Sequence, residues 1–365
     1  MALSWDDLAG LALARQFPSA ALDVPSAVAA IGAMQTQTAR SAFLGLASRF
    51  PGTTRDEVTA AYETGAIVRG STIRGTVHTT TPRSFADLGS ATAVGQRTLW
   101  DRMLRLERSS VDDLWSATEA YASTWRTTDE LQDHLQRWLV EHEGADEVTG
   151  RLGQAGRYLA FGHGGLVRRP VNGDWAGQGA PEYAHLPGVG TIEAAIELHL
   201  RCHGPASRHD LAWWSGMGLR VVDEVLAAID TRVGLMTADG PDDRTYVDLP
   251  DAAAPRAIDG VRLLPEFDAL MCAYDPAGRL RFAEAAHLVR LWSGANGLVL
   301  PPLLVDGRIT GYWRAAGSSR RRPLEVTWFA RTRRPRKDEL DEPVAALEAG
   351  LGITVSSVTI TRELV

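Results

Sequence analysis

The segment Ile67-Val-Arg-Gly-Ser-Thr-Ile-Arg-Gly-Thr-Val-His-Thr-Thr-Thr81 decides the fold of the N-terminal part of the chain. Its residues alternate as they do in strands with one buried face, and Arg69-Gly70-Ser71 predicts a turn within it. Pro25 opens the second of four helical segments that precede it, and Thr53 or Thr54 caps the fourth. Helices followed by a two-stranded wing are typical of the winged-helix fold, a relative of the helix-turn-helix.

The same order recurs twice further along the chain, after a connecting helix predicted from Pro82 to about Glu107. The second pass has predicted helices in residues 111–125, 127–140 and 150–161, and a strand pair rich in Gly and Pro in 165–186. The third pass has predicted helices in residues 191–202, 207–217 and 220–229, and two strands around the turn 239–242. We therefore predict three tandem winged-helix units, in residues 1–107, 108–188 and 189–262.

Beyond Leu263 the pattern changes to short strands. They are predicted in residues 298–300, 303–305, 309–313, 324–329 and 354–361, with one clear helix in 339–351. Asp306-Gly307 between apolar runs is the strongest hairpin signal. Residues 263–365 are therefore predicted to form a β-rich, barrel-like module, which makes the fold class α+β.

Composition excludes several classes of protein. Of 365 residues, 45% are apolar and 23% charged, as in soluble proteins with two or three domains. No apolar run reaches the roughly 18 residues of a membrane span, and the N-terminus does not resemble a leader, so we expect a cytoplasmic, nucleoid-associated protein with no membrane partner. Cys202 and Cys272 are not in a CxxC motif and His203 is not at ligand spacing, so neither a disulfide nor a metal site is expected.

The charge is unevenly distributed along the chain. The net charge of −7 argues against a protein that coats nucleic acid indiscriminately. Residues 308–337, however, contain ten basic residues and only one acidic residue, and residues 69–108 and 151–169 are also basic. These segments predict a phosphate-binding face, with a merely solvated surface as the alternative. Arg320, Arg321 and Arg322 are predicted at a hairpin tip that enters a DNA groove, or alternatively in an exposed flexible loop.

Gln35-Thr36-Gln37 lies between two segments with helical patterns. Residues two apart share one face of an extended backbone, so both amides can address one site if this connection is extended. Glutamine cannot act as a base, but it can orient a water molecule. That role is sufficient when the leaving group is already activated, as a purine alkylated at N7 is. The alternative is that Gln35 ends one helix and Gln37 begins the next.

Five stretches, in this order along the chain, resemble the AlkZ-like winged-helix DNA glycosylases, the family of the azinomycin-resistance enzymes that unhook interstrand crosslinks. They are Gln35-Thr-Gln37, Arg74-Gly-Thr-Val-His78, Arg208-His-Asp-Leu-Ala-Trp-Trp-Ser-Gly216, Leu263-Leu-Pro-Glu-Phe-Asp268 and Thr310-Gly-Tyr-Trp313. The resemblance implies three winged-helix units around a basic channel for duplex DNA, with a β-domain at the C-terminal end. The family motif is Gln, a usually apolar residue, then Gln or Asp. Gln35 and Gln37 are thus the implied catalytic residues of the Gln/Gln branch, which is associated with bulky natural-product lesions, and Thr36 departs from the apolar middle residue.

The expected activity is hydrolysis of the N-glycosidic bond of bulky N7-alkylguanine in duplex DNA, as a monoadduct or a crosslink, by a monomer without a cofactor. Lys337 is the sole lysine, so a Schiff-base lyase step is not expected and the product is an abasic site. Arg74 and His78 are predicted to contact DNA or the lesion, although His78 is equally suited to a structural role. Asp268 is a possible alternative base, or a structural residue at a domain junction.

A second hypothesis is a tandem winged-helix protein that binds DNA without chemistry, such as a regulator or a factor that sequesters a lesion or drug. Winged helices commonly bind DNA in this way, and a fold alone does not establish a reaction. The sequence has no separate ligand-sensing domain and no clear dimerisation helix. The enzyme hypothesis requires the two glutamines for turnover, whereas the binding hypothesis does not.

Overall fold

The structure, a computed structural model, describes residues 2–144, 162–251, 254–292, 297–317 and 319–364. Helices within these ranges are α1 (Trp5–Gln16), α2 (Val24–Ile31), α3 (Ser41–Arg49), α4 (Arg55–Glu63), α5 (Pro82–Leu104), α6 (Val111–Tyr121), α7 (Thr128–Glu143), α8 (Ile192–His203), α9 (Arg208–Ser215), α10 (Leu219–Val233), α11 (Ala269–Cys272), α12 (Ala285–Leu291) and α13 (Asp341–Leu351). Short 3-10 helices span Ile73–Gly75, Gly278–Arg281 and Asp338–Leu340.

The strands form three sheets. They are β1 (Met34–Gln35), β2 (Val68–Thr72), β3 (Thr76–Thr80), β4 (Arg126–Thr127), β5 (Leu166–Pro170), β6 (Pro181–His185), β7 (Ala206–Ser207), β8 (Met236–Asp239), β9 (Thr245–Asp248), β10 (Val261–Leu263), β11 (Pro302–Val305), β12 (Arg308–Ala315), β13 (Arg321–Phe329) and β14 (Thr354–Glu363). The sheet orders are β1-β3-β2-β5-β6-β4, β10-β11-β12-β13-β14 and β7-β9-β8. The fold is therefore a mixture of helix and sheet, as the α+β prediction requires.

One order of elements repeats along the chain. In the first repeat, α2, β1, α3 and α4 precede the hairpin of β2 and β3, and in the third repeat α8, β7, α9 and α10 precede the hairpin of β8 and β9. The second repeat has α6, β4 and α7 before the hairpin of β5 and β6, and its predicted helix in residues 150–161 lies outside the described residues. In each repeat the first strand pairs with the last one. Pairing of β2 with β5 joins the sheets of the first two repeats.

The turn of the first hairpin is not where the sequence predicts it. Gly70 lies in the middle of β2, opposite His78 on one side and Val167 on the other. A Cβ atom at Gly70 would lie 2.6 Å from the Leu166 carbonyl oxygen and from the Phe85 ring, so this glycine permits close packing. The chain reverses instead at Ile73–Gly75, where Arg74 has a positive φ of 57°. The predicted turn at residues 69–71 is therefore wrong.

The C-terminal sheet is open, with β10 and β14 at its edges, and it curls into a half-barrel rather than a closed barrel. Its strands pair antiparallel except for β13 and β14, which are parallel. Asp306 and Gly307 form the turn between β11 and β12, and both have positive φ, as the hairpin prediction requires. The predicted boundary between residues 262 and 263 falls inside β10.

Two large hydrophobic clusters hold the repeats to the rest of the chain. One combines α2, α3 and α4 with the half-barrel sheet, through buried residues such as Phe43 and Trp313. The other combines α1 with the third repeat and with residues of α11 and α12. The first repeat therefore rests on the half-barrel sheet, which fixes the position of the segment after α2. No described helix is long and apolar enough to cross a lipid bilayer.

Candidate active site

The Gln35-Thr36-Gln37 motif runs beside strand β3. Met34 and Gln35 pair with Thr79 and His78, and the Thr36 N–H continues the ladder by donating to the Val77 carbonyl at 2.7 Å. Helix α2 ends at Ile31 and α3 begins at Ser41, so neither glutamine belongs to a helix. Alternation along the strand places the Gln35 side chain on the sheet face opposite that of Thr36. Gln37 lies in a bend beyond β1, with its side chain beside the Val77 N–H, so a common site for the two amides stays a prediction.

The two amides differ in their surroundings. Gln35 is 8% exposed, and its Oε1 is buried without a hydrogen-bond partner among the described residues. Gln37 is exposed, and its Oε1 accepts a long hydrogen bond of 3.4 Å from the Val77 N–H. A buried amide oxygen without a partner costs about 1–3 kcal/mol, so Gln35 offers an acceptor that a water molecule or a ligand would satisfy.

Thr36 is fixed on the opposite face. Its carbonyl accepts a hydrogen bond of 2.7 Å from the Arg69 guanidinium, and its hydroxyl accepts one of 3.1 Å from Thr79. Burial lowers the pKa of Arg69 to about 10, so the guanidinium is still charged at neutral pH. The polar middle residue of the motif is thus fully paired. The sequence analysis placed Arg69 in a turn and gave Thr79 no catalytic role, although alternation along β2 and β3 places both on the Thr36 face.

His78 lies directly opposite Gln35 on the same face of the sheet. Its Nδ1 is 2.9 Å from the Thr72 hydroxyl and 3.1 Å from the Thr76 carbonyl, which can only accept and therefore favours a proton on Nδ1. Burial, reinforced by the charge of Arg74, lowers the pKa of His78 to about 3. The ring is therefore neutral at physiological pH. Its Nε2 has no hydrogen bond within the part of the chain that the structure describes.

Arg74 is on the same hairpin but is held away from the glutamines. Its guanidinium donates to the carbonyls of Trp213 and Trp214, at 3.2 and 2.8 Å, near the end of α9. These carbonyls would otherwise lack helical partners, so Arg74 joins the first hairpin to the third repeat. Contact between Arg74 and DNA stays a prediction.

Asp268 forms a buried ion pair. Its two oxygens accept from the Arg49 guanidinium at 2.9 and 3.0 Å, and Oδ1 also accepts from the Leu270 N–H at the start of α11. Both side chains of the pair are 2% exposed. Helix α11 packs near β1, but a carboxylate held in this way is poorly placed to take a proton from water. The geometry favours the structural alternative for Asp268 over the alternative base.

Arg320, Arg321 and Arg322 lie on a different sheet. Arg320 lies between β12 and β13, whereas Arg321 and Arg322 begin β13 and pair with β14, beyond the last β12–β13 pair of Ala315 with Leu324. Entry of these side chains into a DNA groove stays a prediction. Arg320 and Arg321 are exposed, whereas the Arg322 Nε donates to the Ser319 carbonyl at 2.6 Å.

A loop that the sequence analysis overlooked completes the surroundings of the motif. Residues 171–180, here called the β5–β6 loop, reach from the second repeat to the first. Gln178 donates to the Gln37 carbonyl at 3.2 Å, and the Trp175 ring stacks on Tyr62 with ring centroids 4.4 Å apart. Only a tryptophan within a polar, Gly-rich segment marked this loop in the sequence.

No group of three or more His, Cys, Asp or Glu side chains in the described ranges is arranged to hold a metal ion. Burial raises the pKa of both cysteine thiols to about 12, so they are unreactive core residues. A cavity of about 730 Å³ lies between the α1–α2 connection and α4, but neither glutamine lines it. Two amides and a neutral imidazole can orient water and favour positive charge without any proton transfer.

Comparisons with known proteins identify the family of the chain. The family model described as DNA glycosylase AlkZ-like matches residues 28–349. Among solved structures, the chain is similar to the Streptomyces sahachiroi DNA glycosylase AlkZ, with a TM-score of 0.80 and 20% sequence identity over 99% of this chain and 100% of that one. No curated protein matches the sequence. The family match extends over most of the chain and favours the enzyme over the DNA-binding protein without chemistry. The chain therefore belongs to the AlkZ-like DNA glycosylase family and is a DNA repair glycosylase.

Proposed function

We propose that this glycosylase removes bulky N7-alkylguanine, as monoadducts or as interstrand crosslinks, by hydrolysing the N-glycosidic bond and leaving an abasic site. One observation carries the proposal: the Gln35 Oε1 is buried without a partner among the described residues, and Gln37 follows two residues later in the same non-helical connection. The motif thus presents amide oxygens, while the carboxylate of Asp268 is held in an ion pair with Arg49. It suits a substrate whose leaving group needs no proton.

Alkylation at N7 supplies that condition, because the positive charge on the guanine weakens the bond to the sugar. The enzyme then has to favour an oxocarbenium-like sugar and hold a water molecule on the face opposite the departing base. The carbonyl ends of Gln35 and Gln37 can do both. His78 is neutral because burial lowers its pKa to about 3, so it places no opposing charge beside the developing cation.

The proposal includes a monofunctional reaction. A lyase step requires an amine that forms a Schiff base with the sugar. Lys337 is the sole lysine, and it lies on an exposed segment before α13, in the half-barrel part of the chain. Water is therefore the proposed nucleophile, and the DNA strand stays intact until it is treated with alkali.

The fold supports the proposed DNA-binding mode. The recurring order of elements, with the first strand paired to the last, is that expected of three winged-helix units around a DNA channel. In residues 308–337, several cations have no ion-pair partner among the described residues: Arg314, Arg320, Arg321, Arg331, Arg334 and Lys337. Such side chains suit contact with phosphate. We assign duplex DNA to this face.

The test is a single-turnover reaction on duplex DNA with one bulky N7-alkylguanine, followed by alkaline cleavage at abasic sites. Wild type is compared with Gln35→Ala/Gln37→Ala, and Gln136→Ala on the exposed face of α7 is the matched control. We expect alkali-dependent cleavage by wild type and by Gln136→Ala, with loss of cleavage but not of DNA binding in the double variant.

A duplex with N7-methylguanine distinguishes the effect of adduct size from that of the positive charge on the base, because both adducts carry the charge. Faster release of the bulky adduct supports the substrate assignment, and equal or faster release of the methylated base overturns the preference for bulk. A covalent complex trapped by borohydride would contradict the monofunctional reaction. Release of an adduct that carries no positive charge, at the same rate, would contradict the water-orienting mechanism.

A further inference from the structure

The β5–β6 loop contacts Gln37 directly and is connected to Thr36 through Tyr62 and Thr79. It belongs to the hairpin of the second repeat, yet its described side chains pack on α4 and on the motif of the first repeat. Besides the contacts of Trp175 and Gln178, Asp174 forms a half-exposed ion pair of 2.9 Å with Arg55. A loop that served only to connect β5 to β6 would not require three contacts to another repeat.

The first route from the loop to the motif is direct. Gln178 donates to the main-chain carbonyl of Gln37 at 3.2 Å. Among the described residues, the side chain of Gln37 receives only the 3.4 Å hydrogen bond from the Val77 N–H. Because Gln37 is exposed and lies beyond the last paired strand residue, these two bonds limit where its amide points.

The second route is a chain of hydroxyl groups. Trp175 stacks on Tyr62 with an interplanar angle of 1°, and the Tyr62 hydroxyl is 2.5 Å from the Thr79 hydroxyl. Thr79 donates to the Thr36 hydroxyl at 3.1 Å, so Tyr62 is the donor to Thr79. Burial raises the pKa of Tyr62 to about 12 and keeps that proton in place. This series of hydroxyl groups ends at Thr36, the residue between the two glutamines.

We propose that the β5–β6 loop is a positioning element for the catalytic motif, in which Gln178 holds Gln37 directly and Trp175 holds Thr36 through Tyr62 and Thr79. The inference rests on the proposed function, since it presumes that Gln35 and Gln37 orient the water. Water-orienting groups act only within a narrow range of positions, and a displacement of about 1 Å can cost roughly 100-fold in rate. The second repeat therefore contributes to the chemical step as well as to the fold.

The hydroxyl of Thr36 allows the second route, from Tyr62 to the motif, to be tested separately. An apolar middle residue, which the family usually has, would offer Thr79 no acceptor. In a Thr36→Val background the hydroxyl chain ends one residue early, so Tyr62 loses its connection to the motif. A purely structural Tyr62 would contribute equally in both backgrounds.

The experiment measures the single-turnover rate, the DNA dissociation constant and the Tm on the bulky N7-alkylguanine duplex. The variants are Gln178→Ala, Tyr62→Phe, Thr36→Val and Thr36→Val/Tyr62→Phe, with Gln37→Ala as the reference. Gln136→Ala is the control for a lost exposed amide. Tyr121→Phe is the control for a lost hydroxyl, because its ring stacks on His134 and its hydroxyl has no hydrogen bond within the described residues.

We expect roughly tenfold slower chemistry for Gln178→Ala and several-fold slower chemistry for Tyr62→Phe, with unchanged dissociation constants. Tyr62→Phe should have no further effect in the Thr36→Val background. Wild-type rates for Gln178→Ala and Tyr62→Phe, with an inactive Gln37→Ala, would overturn the positioning role and leave the proposed function intact. An active Gln37→Ala would overturn the proposed function itself. Weaker DNA binding at an unchanged rate would instead make the loop a DNA contact and overturn this inference.

Discussion

The junction between the first strand and the second helix differs between the first repeat and the other two. In the second and third repeats, the last strand residue caps the next helix: Thr127 and Ser207 each form a capping box with an acid three residues later. In the first repeat, residues 36–40 separate β1 from α3, and the residue at the N-cap, Arg40, makes no side-chain cap hydrogen bond. The inserted residues contain Thr36 and Gln37 of the motif.

In the first repeat, the second helix has no side-chain cap where the motif residues are inserted, and other contacts replace that cap. Polar contacts with residues 263–268 take the place of a side-chain cap on α3. Near its start, Arg40 forms an ion pair with Glu266, and Ser41 donates to the Glu266 carbonyl at 3.3 Å. At its end, Arg49 pairs with Asp268. The stretch Leu263-Leu-Pro-Glu-Phe-Asp268 thus serves the motif by anchoring the helix that follows it.

The largest expected effect is the loss of this anchor. Asp268→Ala leaves the buried Arg49 guanidinium without its counter-charge, and breaking a buried pair in this way costs about 3–5 kcal/mol. We expect a matching fall in the free energy of unfolding in urea. The nearly isosteric Asp268→Asn should retain the single-turnover rate of its folded fraction. A stable but inactive Asp268→Asn would make Asp268 the base and reverse the structural assignment.

The next largest effect is expected at Gln35, where a substitution should lower the rate without lowering the stability. Gln35→Leu removes an amide that orients water, and loss of one such preorganised group lowers the rate by roughly 100- to 1,000-fold. It also removes the buried Oε1, which has no partner among the described residues, so the Tm should stay constant or rise.

Gln16→Leu is the matched control for Gln35→Leu, because Gln16 is also buried but bonds to Ile31, Cys202 and Arg49. This control should lose stability while its folded fraction retains activity. A large fall in the Tm of Gln35→Leu would show that its amide has a structural partner, contrary to the geometry.

The sequence predicted only part of the first repeat and of its candidate site. Alternation over residues 67–81 located both strands of the first hairpin, but Gly70 was taken as a turn because its contact with Phe85 joins residues distant in sequence. The spacing of Gln35 and Gln37 allowed a common site and the family resemblance implied one, and their joint role stays a prediction. The roles of Thr79 and Trp175 depend on tertiary contacts, which neither periodicity nor a motif records. The missing cap of α3 is visible in the sequence, but its replacement by residues 266–268 is not.

Variants at the capped junctions should have a smaller effect, and on stability alone. Ser207→Ala removes a side chain that caps α9, and such losses cost about 1 kcal/mol. Thr127→Ala should behave in the same way at α7. We expect both variants to unfold at lower urea concentration and to keep the wild-type single-turnover rate. A rate loss in either variant, at full occupancy of DNA, would mean that these junctions also take part in the chemistry and that the contrast between repeats is false.

The smallest expected effect is that of pH on the rate, because no group of the site titrates near neutrality. Glutamine does not ionise, and burial lowers the pKa of His78 to about 3, so the single-turnover rate should be constant between about pH 5 and pH 9. Stability should behave differently. Below the unfolded-state pKa of about 6.5, the unfolded chain binds a proton at His78 that the native state does not, so the free energy of unfolding falls as the pH decreases from there towards 3. Burial lowers the pKa of His199 and His203 in the third repeat as well, so both repeats should lose stability in acid. The pH-independent rate, in contrast, depends on the residues of the first repeat alone. A bell-shaped rate profile with a limb near pH 6 would identify a titrating acid or base and would contradict catalysis by the two amides alone.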